Sequence, residues 1–356
     1  MKYEKIPFSE AEMTPNGEYM RPIPGLKNVV KPTYPISTKE NFKRFLDGEP
    51  AWTPSDMEVV LFNPTIIPEN VARGMAIEMQ FLTPDKFGGK DFFGIDWEYV
   101  PTVGGSMVRP GNPTLADVAD WKNVIKFPDI STYDWEGCKE RNKFFLDPNR
   151  MIKTTFFTGF FERLISFVDM ENALVAMIDE DVEDDVKELF DKLADFYIEV
   201  MKEMKKHFNI EMVWFHDDWG NQRAPMFSLD TVRNMLVPAL TKVVNGAHEL
   251  GLIFELHSCG KIEDLVPAMI EAGVDMWDGQ YMNDKAKIAK EYGDKIKVHF
   301  MLDPSMVNPE TSEDEIRAII NKALDDYGPN FYIGGLFALD ERVYPIVYEE
   351  SRKRFG

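Results

Sequence analysis

The sequence predicts an α/β fold, a (β/α)8 TIM barrel with an N-terminal extension. Three observations carry this expectation. From residue 150 onward, strand-like and helical segments strictly alternate, which implies a parallel sheet with crossover helices. Gly251, Gly273, Gly293 and Gly328 close successive helices of that alternation. Ionisable side chains gather where the strands end, the side on which a parallel barrel builds its site. No G-x-G-x-x-G opens a helix after a strand, and no P-loop, H-E-x-x-H or G-x-S-x-G occurs, so a dinucleotide fold has no support.

Each element has a local reason. Residues 1–36 carry Pro15, Pro22, Pro24, Pro32 and Pro35, which forbid a long helix and leave an arm lying on the body; residues 37–356 are expected to be the barrel. Ser37 can cap a short helix whose Phe42, Phe45 and Leu46 recur at helical spacing. Met57–Phe62 reads as a buried strand. Residues 84–114, with Gly88-Gly89, Phe92-Phe93 and Gly104-Gly105, form a long irregular excursion, which in a compact chain is more often functional than idle. Ile152–Phe157 is strand-like. The apolar stripe from Val182 through Val186, Leu189, Phe190, Leu193, Val200 and Met204 then marks an amphipathic helix. Six acids in the seven residues Asp179–Asp185 suit its solvated N-terminus. A strand at Met212–Asp217, a helix around Thr231–Leu250, a strand at Leu252–His257 and a helix over Ile262–Ala272 follow. The rhythm continues with strand Val274–Trp277, helix Asp284–Tyr292 and strand Lys297–Leu302. Ser312-x-x-Glu315 is a capping box for a helix to Tyr327, before a last strand at Phe331–Ile333 and Gly334-Gly335.

Composition narrows the function. The chain has 356 residues with 40 basic and 61 acidic side chains, a net charge of −21, which repels a phosphate backbone and argues against nucleic acid. Two cysteines, Cys138 and Cys259, cannot build a disulfide framework and fit a reducing compartment. Met1–Phe8 lacks the apolar stretch of a signal peptide, and runs such as Ala173–Ile178 are far too short to cross a bilayer, so a cytoplasmic protein without membrane contact is expected.

The strand ends hold a concentrated set of reactive groups. His216-Asp217-Asp218-Trp219-Gly220-Asn221-Gln222 follows one strand and His257-Ser258-Cys259-Gly260 the next, with Glu263 a turn later. Trp277-Asp278-Gly279-Gln280 follows a third, and His299 lies in a fourth with Asp303 four residues on. Period-two alternation puts Glu255 and His257 on one strand face. Taken singly, each has a bland reading. His299 alone suits a hydrogen-bonded core residue, His-x-Cys is a weak zinc signal, Asp217-Asp218 suits a helix cap, and His207 and His248 suit a helix surface. Cys138 reads as unremarkable. Phe156, Phe157, Phe160 and Phe161 cluster at one strand end, which suits an apolar or aromatic substrate.

Three segments carry a resemblance. Phe161-Glu162-Arg163-Leu164 with Glu171-Asn172-Ala173-Leu174, then Asp217–Gln222, then His257–Gly260 followed by Glu271-Ala272-Gly273-Val274-Asp275, resemble the uroporphyrinogen decarboxylase superfamily and its corrinoid-dependent methyltransferase branch. The resemblance runs from about Asn41 to Gly356. Decarboxylases of that superfamily bind substrate carboxylates with an N-terminal arginine cluster; here Arg21 and Arg44 stand isolated. The thiol-methylating members bind zinc through His-x-Cys and a later cysteine. His257 and Cys259 match the first part, but Gly334-Gly335-Leu336-Phe337 stands where the second cysteine should be. The chain looks closer to methyltransferase I of anaerobic O-demethylase systems, whose zinc motif is Glu, fourteen residues, Glu, twenty residues, His. Glu263, Asp278 and His299 reproduce that spacing, with Asp in place of the middle Glu.

The resemblance therefore implies an enzyme moving a methyl group from a small methylated substrate, best an aryl methyl ether, to the Co(I) corrinoid of a partner protein. Zinc would act as Lewis acid, held by Glu263, Asp278 and His299, or in the alternative register by His257 and Cys259. Asp217 and Asp218 would orient substrate or donate a proton, with His257 beside them. Phe156, Phe160, Phe161, Trp219, Gln222, Trp277 and Gln280 would bind substrate. A homodimer is one assembly open to such an enzyme. A metal-free decarboxylase, a corrinoid:thiol methyltransferase of the coenzyme M type and a non-catalytic barrel remain the alternatives.

Overall fold

The computed structural model describes residues 2–21, 25–75, 78, 83–102, 104–302 and 305–356; Asp303, Pro22 and Pro24 lie outside them. The strands among these residues are β1 (Glu18–Tyr19), β2 (Val29–Val30), β3 (Val59–Leu61), β4 (Gly89–Lys90), β5 (Asp96–Val100) and β6 (Gly105–Val108). They continue as β7 (Met151–Phe156), β8 (Met212–His216), β9 (Ile253–Ser258), β10 (Met276–Gly279), β11 (Lys297–Met301) and β12 (Phe331–Gly334). Seven of them share one sheet in the order β12-β11-β10-β9-β8-β7-β3, and helices separate β7 to β12 along the chain. This is the α/β architecture of the (β/α)8 class, with seven sheet strands among the described residues.

The chain divides into two compact units. The first comprises Met1–Val60, Pro148–Met151 and Asp275–Gly356. Its arm is held rather than loose. β1 and β2 pair antiparallel, and the Glu12 carboxylate accepts from Arg352 Nε and from Tyr348 OH, both at 2.7 Å. The Ser37 side chain accepts from Glu40 N and caps helix Thr38–Leu46, as its sequence predicts. The strand expected at Met57–Phe62 is shorter, because Asp56–Glu58 winds into a 3₁₀ turn before β3. β10, β11 and β12 are parallel, with Met276 opposite Lys297 and Val298 opposite Phe331. Ser55 forms a parallel bridge to Ile333, whose N–H donates to Pro54 O at 3.0 Å, so the segment entering β3 lies along the last strand.

The second unit comprises Leu61–Asp147 and Ile152–Val274. β7, β8 and β9 run parallel here, with Phe156 opposite Phe215 and His216 opposite His257. The irregular excursion is more ordered than its sequence suggests, since β4, β5 and β6 form a three-stranded antiparallel sheet. Arg163 fixes it to the unit: the fully buried guanidinium pairs with Asp91, and with Glu69 at 2.9 Å. The amphipathic stripe becomes helix Glu183–Phe208, opened by three acids and closed by Asn209 at φ 53°. The helix expected over Thr231–Leu250 is two, Leu229–Met235 and Val237–Glu249, because Pro238 has no N–H and suits only a first turn.

Candidate functional site

Two strand ends of the second unit are stapled together, and their sequences explain how. β8 runs out into Asp217-Asp218-Trp219-Gly220-Asn221 and β9 into Cys259-Gly260-Lys261. Asp217 N donates to His257 O at 3.0 Å, Trp219 N to Ser258 Oγ at 2.9 Å, Cys259 N to Asp218 Oδ1 at 2.7 Å, and Lys261 N to Asn221 O at 2.8 Å. The two turns approach so closely that a Cβ at Gly260 would collide with the backbone of Gly220, and Gly260 holds φ +94°. Glycine at the fourth position of both motifs, Gly220 and Gly260, is thus a packing requirement between the turns.

This stapling converges three donors. Asp218, His257 and Cys259 each offer a ligand atom, all within 4.8 Å of one another, the one such group of His, Cys, Asp or Glu among the described residues. His257 Nε2 lies 3.5 Å from Cys259 Sγ. Zinc bonds of roughly 2.05 Å to nitrogen and 2.3 Å to sulfur at a tetrahedral angle require about 3.6 Å between those atoms. A carboxylate, an imidazole and a thiol are also the donor types zinc takes, and three protein donors leave one position open. Burial raises the Cys259 thiol above its ordinary value; the hydrogen bond to His257 opposes this and the charge of Asp218 adds to it. The His216 ring lies 4.4 Å from that of His257 between centroids, tilted by 34°, and meets Trp214 and Phe157 edge-on.

Asp217 has a different position from its neighbour. It is fully buried, and its carboxylate accepts from Phe161 N at 3.2 Å, Glu162 N at 2.9 Å and Trp219 Nε1 at 2.8 Å. It therefore caps helix Phe161–Val168 and fixes the indole of Trp219, itself fully buried. Burial pushes its carboxyl up to about 6 against those hydrogen bonds. Phe156, Phe160 and Phe161 are buried too: Phe156 and Phe160 pack on Phe215 and Tyr197, and Phe161 meets Phe227 at 4.7 Å. Gln222 is exposed. Glu263 opens a 3₁₀ turn and its carboxylate takes Lys261 Nζ at 2.9 Å.

In the first unit, Asp278 and His299 come together, Oδ1 to Nδ1 at 3.5 Å and both nearly buried. Gly334 makes room for the imidazole, which a side chain there would strike. Lys285, also buried, donates to Gly279 O at 2.7 Å and His299 O at 2.8 Å, and burial lowers its ammonium while Asp278 raises it. Trp277 is fully buried and Gln280 half-buried.

The sequence marks Asp218, Glu162 and Glu255 in other roles and leaves Lys153 unmarked. Asp218 carries no ligand signature because its partners lie on another strand. Glu162 was noted only as part of a motif; it sits 3.2 Å from Arg73, and burial with the nearby charge of Asp218 pushes its carboxyl up to about 8. Lys153 on β7 and Glu255 on β9 form a buried ion pair beside Trp214; alternation places Glu255 on the His257 face of its strand, and only the fold brings Lys153 to it.

Comparison with known proteins adds the following. A family model described as uroporphyrinogen decarboxylase (URO-D) matches residues 82–336. Among solved structures, a methyltransferase from Methanosarcina mazei is similar at a TM-score of 0.58 and 14% identity, over 90% of this chain and 99% of that one. A sugar phosphate isomerase/epimerase from Parabacteroides distasonis is similar at a TM-score of 0.35 and 12% identity, over 60% of this chain and 81% of that one. At these identities the first likeness shows a common fold, and the second carries no argument. No curated protein matches the sequence.

Proposed function

The chain belongs to the uroporphyrinogen decarboxylase family, and from that premise we propose that it is a metal-dependent methyltransferase whose centre is Asp218, His257 and Cys259. The convergence of those three donors carries the reading. The likeness in fold to a methyltransferase supports it. The arginines argue against a decarboxylase of polycarboxylates: Arg21 is buried against the carbonyls of Lys27 and Leu339, and Arg44 pairs with Glu40 and Glu4 O, so the two form no cluster.

Zinc bound there would supply a Lewis acid for the heteroatom that carries the methyl group. The remaining work falls to the chain. Asp218 holds the Cys259 amide and so sets the thiol opposite His257. Asp217 holds the Asp218 turn against helix Phe161–Val168. Glu162, whose raised carboxyl keeps a proton near neutral pH, is the group suited to donate one to a leaving oxygen. The methyl donor we favour remains an aryl methyl ether, and the acceptor the Co(I) corrinoid of a partner protein. One observation favours a second reading, in which a thiol is the methyl acceptor. Cys259 would give a bound zinc a sulfur ligand, which suits activation of a substrate thiol, as in corrinoid:thiol transfer.

Metal analysis of protein purified without chelator tests the centre. Near one zinc per chain is expected, lost in Cys259→Ala and in Asp218→Ala and kept in Glu263→Ala and His299→Ala. Zinc lost instead in Glu263→Ala or His299→Ala would replace this centre by the Glu263, Asp278, His299 set. Loss of Co(I) corrinoid absorbance with methoxyphenols supports ether cleavage, and recovery of Co(I) absorbance from the methylated corrinoid on addition of a free thiol supports thiol transfer. Carbon dioxide release without corrinoid would overturn both.

A further inference from the structure

The N-terminal arm and the turn before β7 enclose a cavity of about 320 Å³, lined among others by Tyr19, Lys31, Tyr34, Ser37, Lys39 and Arg150. We propose that it binds an organic phosphate monoester, the phosphate on the cations and the organic part against the tyrosine rings.

The charges point to an anion. Lys31 and Arg150 make no ion pair among the described residues. Arg150 spends its terminal nitrogen on main-chain carbonyls, Met57 O at 3.0 Å and Val59 O at 2.5 Å, while its Nε is buried with no hydrogen-bond partner. Those carbonyls fix the guanidinium without neutralising it. Ser37 and Lys39 stand at the first turn of the nine-residue helix Thr38–Leu46, whose dipole adds partial positive charge. In a chain of net charge −21, two cations without an ion pair among the described residues, a third at the same wall and a helix N-terminus around one cavity favour an anion there.

The tyrosines point to the organic part. Their hydroxyls are occupied away from the cavity's cations: Tyr19 OH bonds Tyr34 OH at 2.7 Å, Tyr34 OH bonds Tyr344 OH, and Tyr344 OH donates to Glu58 Oε1 at 3.1 Å. Trp52 Nε1 donates to the same carboxyl at 3.0 Å. What Tyr19 and Tyr34 can offer a ligand is ring surface, over which Lys31 Nζ lies 5.8 and 5.9 Å from the centroids and Arg150 5.2 Å from that of Tyr19. A cavity of this volume exceeds a bare phosphate and accepts a small ring besides.

Calorimetric titration of the full chain at low ionic strength, with inorganic phosphate, phenyl phosphate and benzoate as separate probes, tests this. Phenyl phosphate should bind more tightly than phosphate, and Lys31→Gln/Lys39→Gln should weaken it at least tenfold with an unchanged circular dichroism spectrum. Absence of phenyl phosphate binding at millimolar concentration, equal binding of phosphate and phenyl phosphate, tighter binding of benzoate, or full affinity in the double variant would each overturn the proposal. None of these readouts depends on methyl transfer.

Discussion

Asp218 and Asp217 are adjacent in sequence and opposite in role, because backbone alternation sends one toward Cys259 and the other into the core. Asp218→Ala should lower zinc affinity by about 100-fold or more, read by competition with a chromophoric chelator, because a ligand and the clamp on a second ligand vanish together. Gly260 is equally exacting: Gly260→Ala forces a Cβ into Gly220 at positive φ and should destabilise by about 2 kcal/mol or more in urea titration. Glu58 offers a pH test. Burial pushes its carboxyl up to about 8 from an ordinary 4.5, so the folded state keeps a proton that the unfolded chain has lost. Its stabilising contribution is complete below pH 4.5, falls as pH rises to about 8 and is flat above. Glu58→Gln should therefore gain on the wild type between pH 5 and pH 8, measured by denaturant midpoints at each pH; a constant gap would remove this reading.

Elements are joined by single polar side chains that periodicity assigns elsewhere. His207 lies in the last turn of helix Glu183–Phe208, where spacing suggests a surface position. It is instead nearly buried, with Nδ1 2.9 Å from Glu136 and Nε2 3.0 Å from Glu203, and stacks on Trp135. It ties helix Trp135–Asn142 to the long helix, so His207→Ala should cost about 1–3 kcal/mol of stability in thermal or urea unfolding while leaving the zinc content unchanged. Asp217 does the same for helix Phe161–Val168 and the β8 end. The phenylalanine cluster at the end of β7 is a further case: Phe160 and Phe161 are fully buried, Phe160 against Tyr197 and Phe215 and Phe161 against Phe227.

At the scale of the molecule, the family and the barrel class unite what the strands imply, and the acid excess is mostly surface. On the proposed reading, removing the metal with a chelator should abolish methyl transfer and leave the far-ultraviolet circular dichroism unchanged, as expected of a catalytic rather than a structural ion. Collapse of the spectrum on chelation would make the metal structural instead. Among the described residues no helix is long and apolar enough to cross a membrane.

The sequence by itself determined the alternation of strands and helices, the caps at Ser37 and Ser312, the long helix with its stripe from Val186 to Met204 and the strand ends that hold the reactive groups. These follow from local rules: period, capping and proline act over a few residues. The tertiary structure decided which carboxylate meets His257 and Cys259, which phenylalanines are core, and that the 84–114 excursion is a small sheet. Those outcomes depend on contacts between segments far apart in the chain, such as Asp218 with Cys259 and Arg163 with Asp91 and Glu69. A one-dimensional spacing can rank candidates for such contacts, but the distance between two strand ends is set by the sheet that carries them.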